Sequence, residues 1–315
     1  MTDNSRSELF LSCDLVGSTS FKQQEDGWRE AFLGFYREFP QLVGDLSSNA
    51  ELDFVLWKAI GDQLIFTVTV CREDQVYRAI RLWLNAMADF EKDSLDKRMG
   101  LHGGAFIATF PVPDSEATVP RDPQTEKSDL SPVELNRVAL QDERDYSKYM
   151  YDYFGPSIDT GFRVLDASTV RYFTVSVEVA WALLLAERDQ SDRHLEDLRF
   201  LGERTMHGVW GGRSYPLFAL DRQYSDDVNQ ALVKINGSAL SLPDAKDLCQ
   251  KCVASDHWMS ALYLPESGVD AVKHRPVDPL PKQSEVNQGK GIETVPGDDP
   301  DGSESLIPAP PLGDG

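Results

Sequence analysis

The chain has 315 residues, enough for one large domain or two modest ones, and its 41% hydrophobic content supports a full core. A formal charge of −21, from 31 basic against 52 acidic residues, argues against a nucleic-acid or anionic-membrane binder. It does not exclude a small anionic ligand held by a metal and a few local donors. The start MTDNSRSELF shows no signal peptide, and the longest apolar run, VEVAWALLLA at 177–186, is too short to span a bilayer. Four cysteines do not make a disulfide framework in a chain of this size, so reduced thiols and a cytoplasmic location are expected.

Taken in chain order, ELFLSC at 8–13 reads as a buried strand ending at Asp14. From Gln24 to Val43, Trp28, Phe32, Phe35, Phe39 and Leu42 have the spacing of an amphipathic helix, which Pro40 is expected to end or kink. FVLWKAI (54–60) and QLIFTVTV (63–70) read as strands joined by a tight turn at Gly61-Asp62. A helix over 73–91 and a strand over 99–110 complete the order βαββαβ. That order predicts an α+β fold with a ferredoxin-like core, two helices on one face of an antiparallel sheet. Residues 111–132, rich in proline and acids, read as a long exposed loop, and a charged helix follows over 133–150. Gly155-Pro156 suits a helix start. A strand at 170–175, a helix at 176–188 and a hairpin within GERTMHGVWGGRSYPLFAL come next. The expected organisation is a main domain over 1–220, a C-terminal extension over 221–267, and a disordered acidic tail over 268–315.

Two aspartates stand beside glycine next to apolar runs, and a buried carboxylate is costly unless it is paired or holds a metal. In a βαββαβ sheet the end of the first strand lies beside the hairpin turn, so Asp14 and Asp62 are expected side by side. Either they are a helix cap and a turn residue, or they meet over a divalent cation. Taken together, with Leu15 able to add a carbonyl, they favour magnesium or manganese held by hard oxygen ligands. After Asp14 the chain turns into a helix, and the amides of Val16, Gly17, Ser18 and Thr19 are expected to seat a phosphate. Asp159 and Arg163 are four apart and share a helical face. They are either a surface ion pair or an arginine placed to stabilise charge on a transferring phosphoryl group. Cys249, Cys252 and His257 offer at most three zinc ligands, and free thiols on a peripheral helix are expected instead. His102 reads as a structural strand residue rather than a catalytic base.

The succession DLVGSTS, WKAIGDQLIF, MGLHGGAF and YDYFGPSIDTGFRV resembles the catalytic domain of class III nucleotidyl cyclases over about residues 8–220. That resemblance implies a homodimer with shared active sites and two Mn2+ (or Mg2+) ions per site on Asp14 and Asp62. It makes Lys58 and Asp152 the base-selecting pair and Arg163 the arginine that stabilises the transition state. The chain departs from the family pattern at Asp159, where asparagine is usual. The usual lysine of the late hairpin is also missing, leaving His207 with Arg204 and Arg213 nearby. WKAIGDQ and GPSIDTGFR are most similar to bacterial pyrimidine cyclases of the Pycsar anti-phage system. This implies conversion of UTP or CTP to a cyclic mononucleotide, most often cyclic UMP, that activates a partner effector. Lys58 and Asp152 supply one donor and one acceptor, which serve adenine as well as uracil. Bulky residues such as Tyr151 or Tyr153 would fill the space beside a small base. The alternatives are a purine cyclase and a degenerate fold that binds nucleotide without turning it over.

Overall fold

Strand β1 (Arg6–Val16) alternates between two cores: Leu9, Leu11 and Cys13 enter the larger one, and Phe10 enters a smaller one on the opposite face. The computed structural model describes residues 5–277, apart from 25, 49, 127–128, 142, 190–194 and 236–239. Where a single helix is predicted, two follow, α1 (Ser18–Gln24) and α2 (Trp28–Ser47). Helix α2 runs through Pro40 instead of ending there. Phe35, Phe39 and Val43, each a turn apart and fully buried, bind it to the core, and that burial outweighs the backbone hydrogen bond that proline removes.

The predicted hairpin is present as β2 (Val55–Ile60) and β3 (Gln63–Val70), with Trp57 at a register shift between Leu56 and Lys58. Helix α3 (Glu73–Asp93) buries Val76, Ile80, Trp83, Met87 and Phe90, and β4 (Gly100–Phe110) follows. The segment read as a loop contains a strand: β5 (Ser115–Pro120) pairs antiparallel with β6 (Tyr149–Phe154). Between them lies α4 (Pro132–Ala139), far shorter than the helix predicted over 133–150. A capping box of Ser131 and Glu134 starts α4, but the helix buries no residue, so little packing extends it.

Helix α5 (Pro156–Leu165), β7 (Tyr172–Val175), α6 (Val177–Asp189), β8 (Leu198–Thr205) and β9 (Ser214–Asp221) come next, then α7 (Asp227–Ile235), α8 (Leu242–Val253) and α9 (Asp270–Lys273). Among the described residues the main sheet has the order β2-β3-β1-β4-β7-β9-β8. Its first four strands are antiparallel and reproduce the expected ferredoxin-like core, whereas β4 and β7 run parallel. Residues of α2, α3, α6 and α8 build the larger core, while Ile158 and Leu165 of α5 pack on Phe10, Phe106 and Phe110 in the smaller one. Of the predicted tail, residues 268–277 carry α9, whose Val272 is buried in the larger core; 278–315 lie outside the described residues. No helix among the described residues is long and apolar enough to cross a membrane.

Helix α5 sits close to the sheet because Gly161 has no side chain: a Cβ there would fall 2.3 Å from the Phe106 ring. Gly161→Ala is therefore expected to destabilise the protein by about 1–3 kcal/mol, through overpacking. A melting temperature equal to that of the wild type would show that α5 does not need this close approach.

Candidate active site

The β1–β3 register sets Asp14 opposite Gln63, the residue after Asp62, so both carboxylates stand at one end of the sheet. Gly61 makes the turn with φ +61°, and the Tyr36 hydroxyl donates to its carbonyl, tying the hairpin to α2. Each carboxylate side chain is about a quarter exposed, 26% for Asp14 and 24% for Asp62. Asp14 Oδ1 accepts from the Leu15 amide at 2.9 Å, and Lys22 Nζ lies 3.8 Å from Asp62 Oδ2. Asp14 Oδ2 lies 3.1 Å from His102 Nε2, and His102 Nδ1 lies 2.7 Å from Ser168 Oγ. With the carboxylate as acceptor, Nε2–H is the donor, so His102 orients Asp14 rather than merely filling its strand. The sequence held the signal, because antiparallel pairing of β1 and β4 makes Asp14 and His102 direct cross-strand partners.

Two partly exposed carboxylates at one end of the sheet are hard oxygen donors of the kind that suit a divalent cation sharing the rest of its shell with substrate and water. Among the described residues no group of three or more His, Cys, Asp or Glu is placed to hold a metal by itself. The segment expected to seat phosphate leads from Val16 and Gly17 into α1, with Ser18 buried and Thr19 exposed.

Lys58 and Asp152 lie 2.7 Å apart, although β2 and β6 belong to different sheets. Asp152 Oδ1 also accepts from the Tyr153 amide at 2.8 Å. Beneath this pair lies a residue that the sequence reading passed over: the Trp57 ring is 4.0 Å from Lys58 Nζ and packs against Phe10 and Tyr153. Its place as a bulge residue is a property of pairing, which no periodicity shows. Tyr153 enters the smaller core, whereas Tyr151 takes a hydrogen bond from the Asp145 amide and packs beside Arg144.

A cleft of about 450 Å3 is lined by Asp159, Thr160, Arg163, Trp210, Trp258 and Met259, among others. Arg163 does not rest on the Asp159 carboxylate, as an ion pair along the helix would require. Its Nη1 donates instead to the Asp159 main-chain carbonyl at 2.7 Å, which ties the guanidinium to the backbone of its own helix. Arg204 and His207 are exposed on the β8–β9 hairpin, and Gly208, Val209 and Trp210 of the same hairpin reach the cleft wall.

The C-terminal segment, which no motif pointed to, continues that wall. Trp258 stacks on Tyr215 with ring centres 5.4 Å apart and meets Trp210 edge to face at 5.0 Å. Its indole N–H donates to Glu178 at 3.0 Å. Cys249 and Cys252 of α8 are buried in the larger core rather than peripheral, and burial pushes the Cys252 thiol up to about 11.

No model of a known protein family matches the sequence, and no curated protein matches it. Solved structures do. The chain is similar to an adenylyl cyclase from P. aeruginosa, with TM-score 0.44 and 11% identity over 69% of this chain and 94% of that one. It is similar to the guanylate cyclase domain of RhGC from Catenaria anguillulae in complex with GTP, with TM-score 0.43 and 10% identity over 70% and 100%. A third is an adenylate/guanylate cyclase/hydrolase from Silicibacter pomeroyi, with TM-score 0.42 and 15% identity over 69% and 98%.

Glu178, at the base of the cleft wall, is fully buried, and burial raises its carboxyl from 4.5 to about 7. The folded protein therefore holds a proton that the unfolded chain releases near 4.5. The stabilising effect is full below that pH and is lost as pH rises to about 7. Glu178→Gln keeps an acceptor for Trp258 and removes the titration. Its melting temperature relative to wild type is expected to rise as pH goes from about 4.5 to about 7 and to level off above that; a constant difference would show that Glu178 does not titrate there.

Proposed function

We propose that the chain is a nucleotide cyclase that acts as a homodimer and converts a pyrimidine nucleoside triphosphate, UTP or CTP, to its 3′,5′-cyclic monophosphate and pyrophosphate. The observation that carries the reading is the register that brings Asp14 and Asp62 to one end of the sheet, accompanied by a cleft that Arg163 lines. Asp14 and Asp62, with the Leu15 carbonyl, would hold two Mn2+ or Mg2+ ions. Bound there, the ions lower the pKa of the ribose 3′-hydroxyl and neutralise charge on the leaving pyrophosphate. The amides from Val16 to Thr19 bind phosphate oxygens. In the dimer, Lys58 and Asp152 of one chain read the base over the aspartates of its partner. Arg163 stabilises the charge that develops between the α-phosphate and pyrophosphate during in-line attack by the 3′-oxygen. Arg204 and His207 stand in for the missing hairpin lysine at the triphosphate, and Asp159, at the mouth of the same cleft, orders the water and ions beside it.

The pyrimidine preference is supported by Trp57 and Tyr153, whose rings fill space beside Lys58 and Asp152, and by the likeness of WKAIGDQ and GPSIDTGFR to Pycsar cyclases. On that reading the product is a second messenger for a separate effector in anti-phage defence, made in the cytoplasm. A purine cyclase is the second reading, favoured by the Lys58–Asp152 pair itself, since one donor and one acceptor also match adenine.

Incubating the purified protein with manganese and each of the four nucleoside triphosphates separates these readings. Cyclic UMP or cyclic CMP is expected, and cyclic AMP or cyclic GMP as the main product would overturn the pyrimidine assignment. Asp14→Asn and Asp62→Asn should each reduce product below detection while melting at the wild-type temperature. Substantial turnover in either would sink the metal assignment. Lys58→Ala or Asp152→Ala should relax the base preference, and an unchanged preference would count against both as selectors.

A further inference from the structure

The first turn of α5 has no cap of its own, because Gly155 precedes Pro156 and has no side chain to accept from the helix amides. The acceptor arrives from the segment before β5. Asp114, fully buried, takes the Ser157 amide on Oδ1 at 2.9 Å and the Thr109 amide on Oδ2 at 3.3 Å. Its own amide donates to the Thr109 carbonyl at 3.1 Å. Gly155 leaves the room for this contact: it has φ +143°, and a Cβ there would lie 2.4 Å from Asp114 Oδ1. Burial is the main influence on Asp114 and raises its carboxyl to about 6, opposed by hydrogen bonds from Ser157, Thr109 and Ile158. A carboxylate held at that cost, at the positive end of a helix, has a task there.

The contacts lead from Asp114 to Arg163 in short steps. Ser157 is held by Asp114; the Asp159 amide donates to the Gly155 carbonyl at 3.0 Å; and Arg163 Nη1 donates to the Asp159 carbonyl at 2.7 Å. Thr109 also reaches the C-terminal segment that lines the cleft, donating through Oγ1 to the Ala261 carbonyl at 3.0 Å, next to the lining residue Ser260. We infer that Asp114 is a positioning residue for Arg163, capping α5 from outside the helix so that the guanidinium stands where transition-state charge develops. The inference rests on the proposed role of Arg163 in nucleotide cyclisation.

A double-mutant cycle tests it. Asp114→Ala should lower kcat about fivefold at nearly unchanged KM, the size of effect expected when a helix cap of about 1 kcal/mol acts only in the transition state. In an Arg163→Ala background the same substitution should cost almost nothing, because the group through which it acts is gone. Hydrogen exchange at the Ser157 and Ile158 amides should quicken in Asp114→Ala. Asp114→Asn keeps one acceptor oxygen in the same place, so it should recover much of the loss, and it serves in the cycle if the alanine variant does not fold. Equal losses in both backgrounds, or unchanged exchange and turnover, would overturn the inference. Should Arg163→Ala keep full turnover, or the wild type make no cyclic product, the proposed function fails, and with it the catalytic part of this inference. The exchange result then decides separately whether Asp114 holds the helix.

Discussion

Everything chemical in this chain depends on β1 being paired along both edges in one register. That register sets Asp14 opposite Gln63 of β3 and opposite His102 of β4. A slip of one residue would exchange the faces of the strand, sending Phe10 into the larger core and Leu9 and Leu11 into the smaller. The slip is prevented because both faces are buried: Leu9, Leu11 and Cys13 match one core, and Phe10 stacks on Phe106 at 4.6 Å in the other. Hydrophobic matching over several residues thus fixes the position of one partly exposed carboxylate.

On the smaller face, aromatic packing does what strand pairing does on the larger. Phe10, Phe106 and Phe110 make a floor on which α5 lies and against which Tyr153 of β6 and the bulge residue Trp57 rest. Because Asp152 precedes Tyr153, docking one ring into that floor carries the neighbouring carboxylate to Lys58. The Arg6, Glu8, Glu116 and Arg144 side chains join the two sheets beside it, with Arg6 3.0 Å from Glu116 and 2.8 Å from Glu8. The two-stranded unit is therefore fixed on one side by charge and on the other by aromatic contact.

What was legible in the sequence follows from which forces are local. The alternation in β1 and the three-to-four spacing in α2 and α3 are periodic, and the ferredoxin-like core is readable from them. The placing of Asp14 and Asp62 at one end of the sheet follows from that topology, whereas the contact of Lys58 with Asp152 joins two sheets and does not. Strand β5, SEATVP, is polar and ends in proline, so nothing in its own residues marks it; it is a strand because β6 lies beside it. Pro40 misleads because a local rule is overridden by the burial of Phe39 and Val43. The capping box at Ser131 and Glu134 was readable and marks where α4 starts, but no residue marks its early end. Asp114 and Trp258 lie far along the chain from the motifs they support, and no spacing rule reaches that distance.

The Trp210–Trp258–Tyr215 stack has a spectroscopic consequence. Trp83 and Trp181 are sealed in the core, at 0% and 3% exposure, whereas Trp210 and Trp258 form the wall of the Arg163 cleft. An anion or nucleotide entering that cleft changes the field and the water around these two indoles and leaves the sealed pair undisturbed. With Trp28 and Trp57, which lie outside the cleft lining, replaced by phenylalanine, the occupancy of the cleft is open to titration by intrinsic fluorescence without any label.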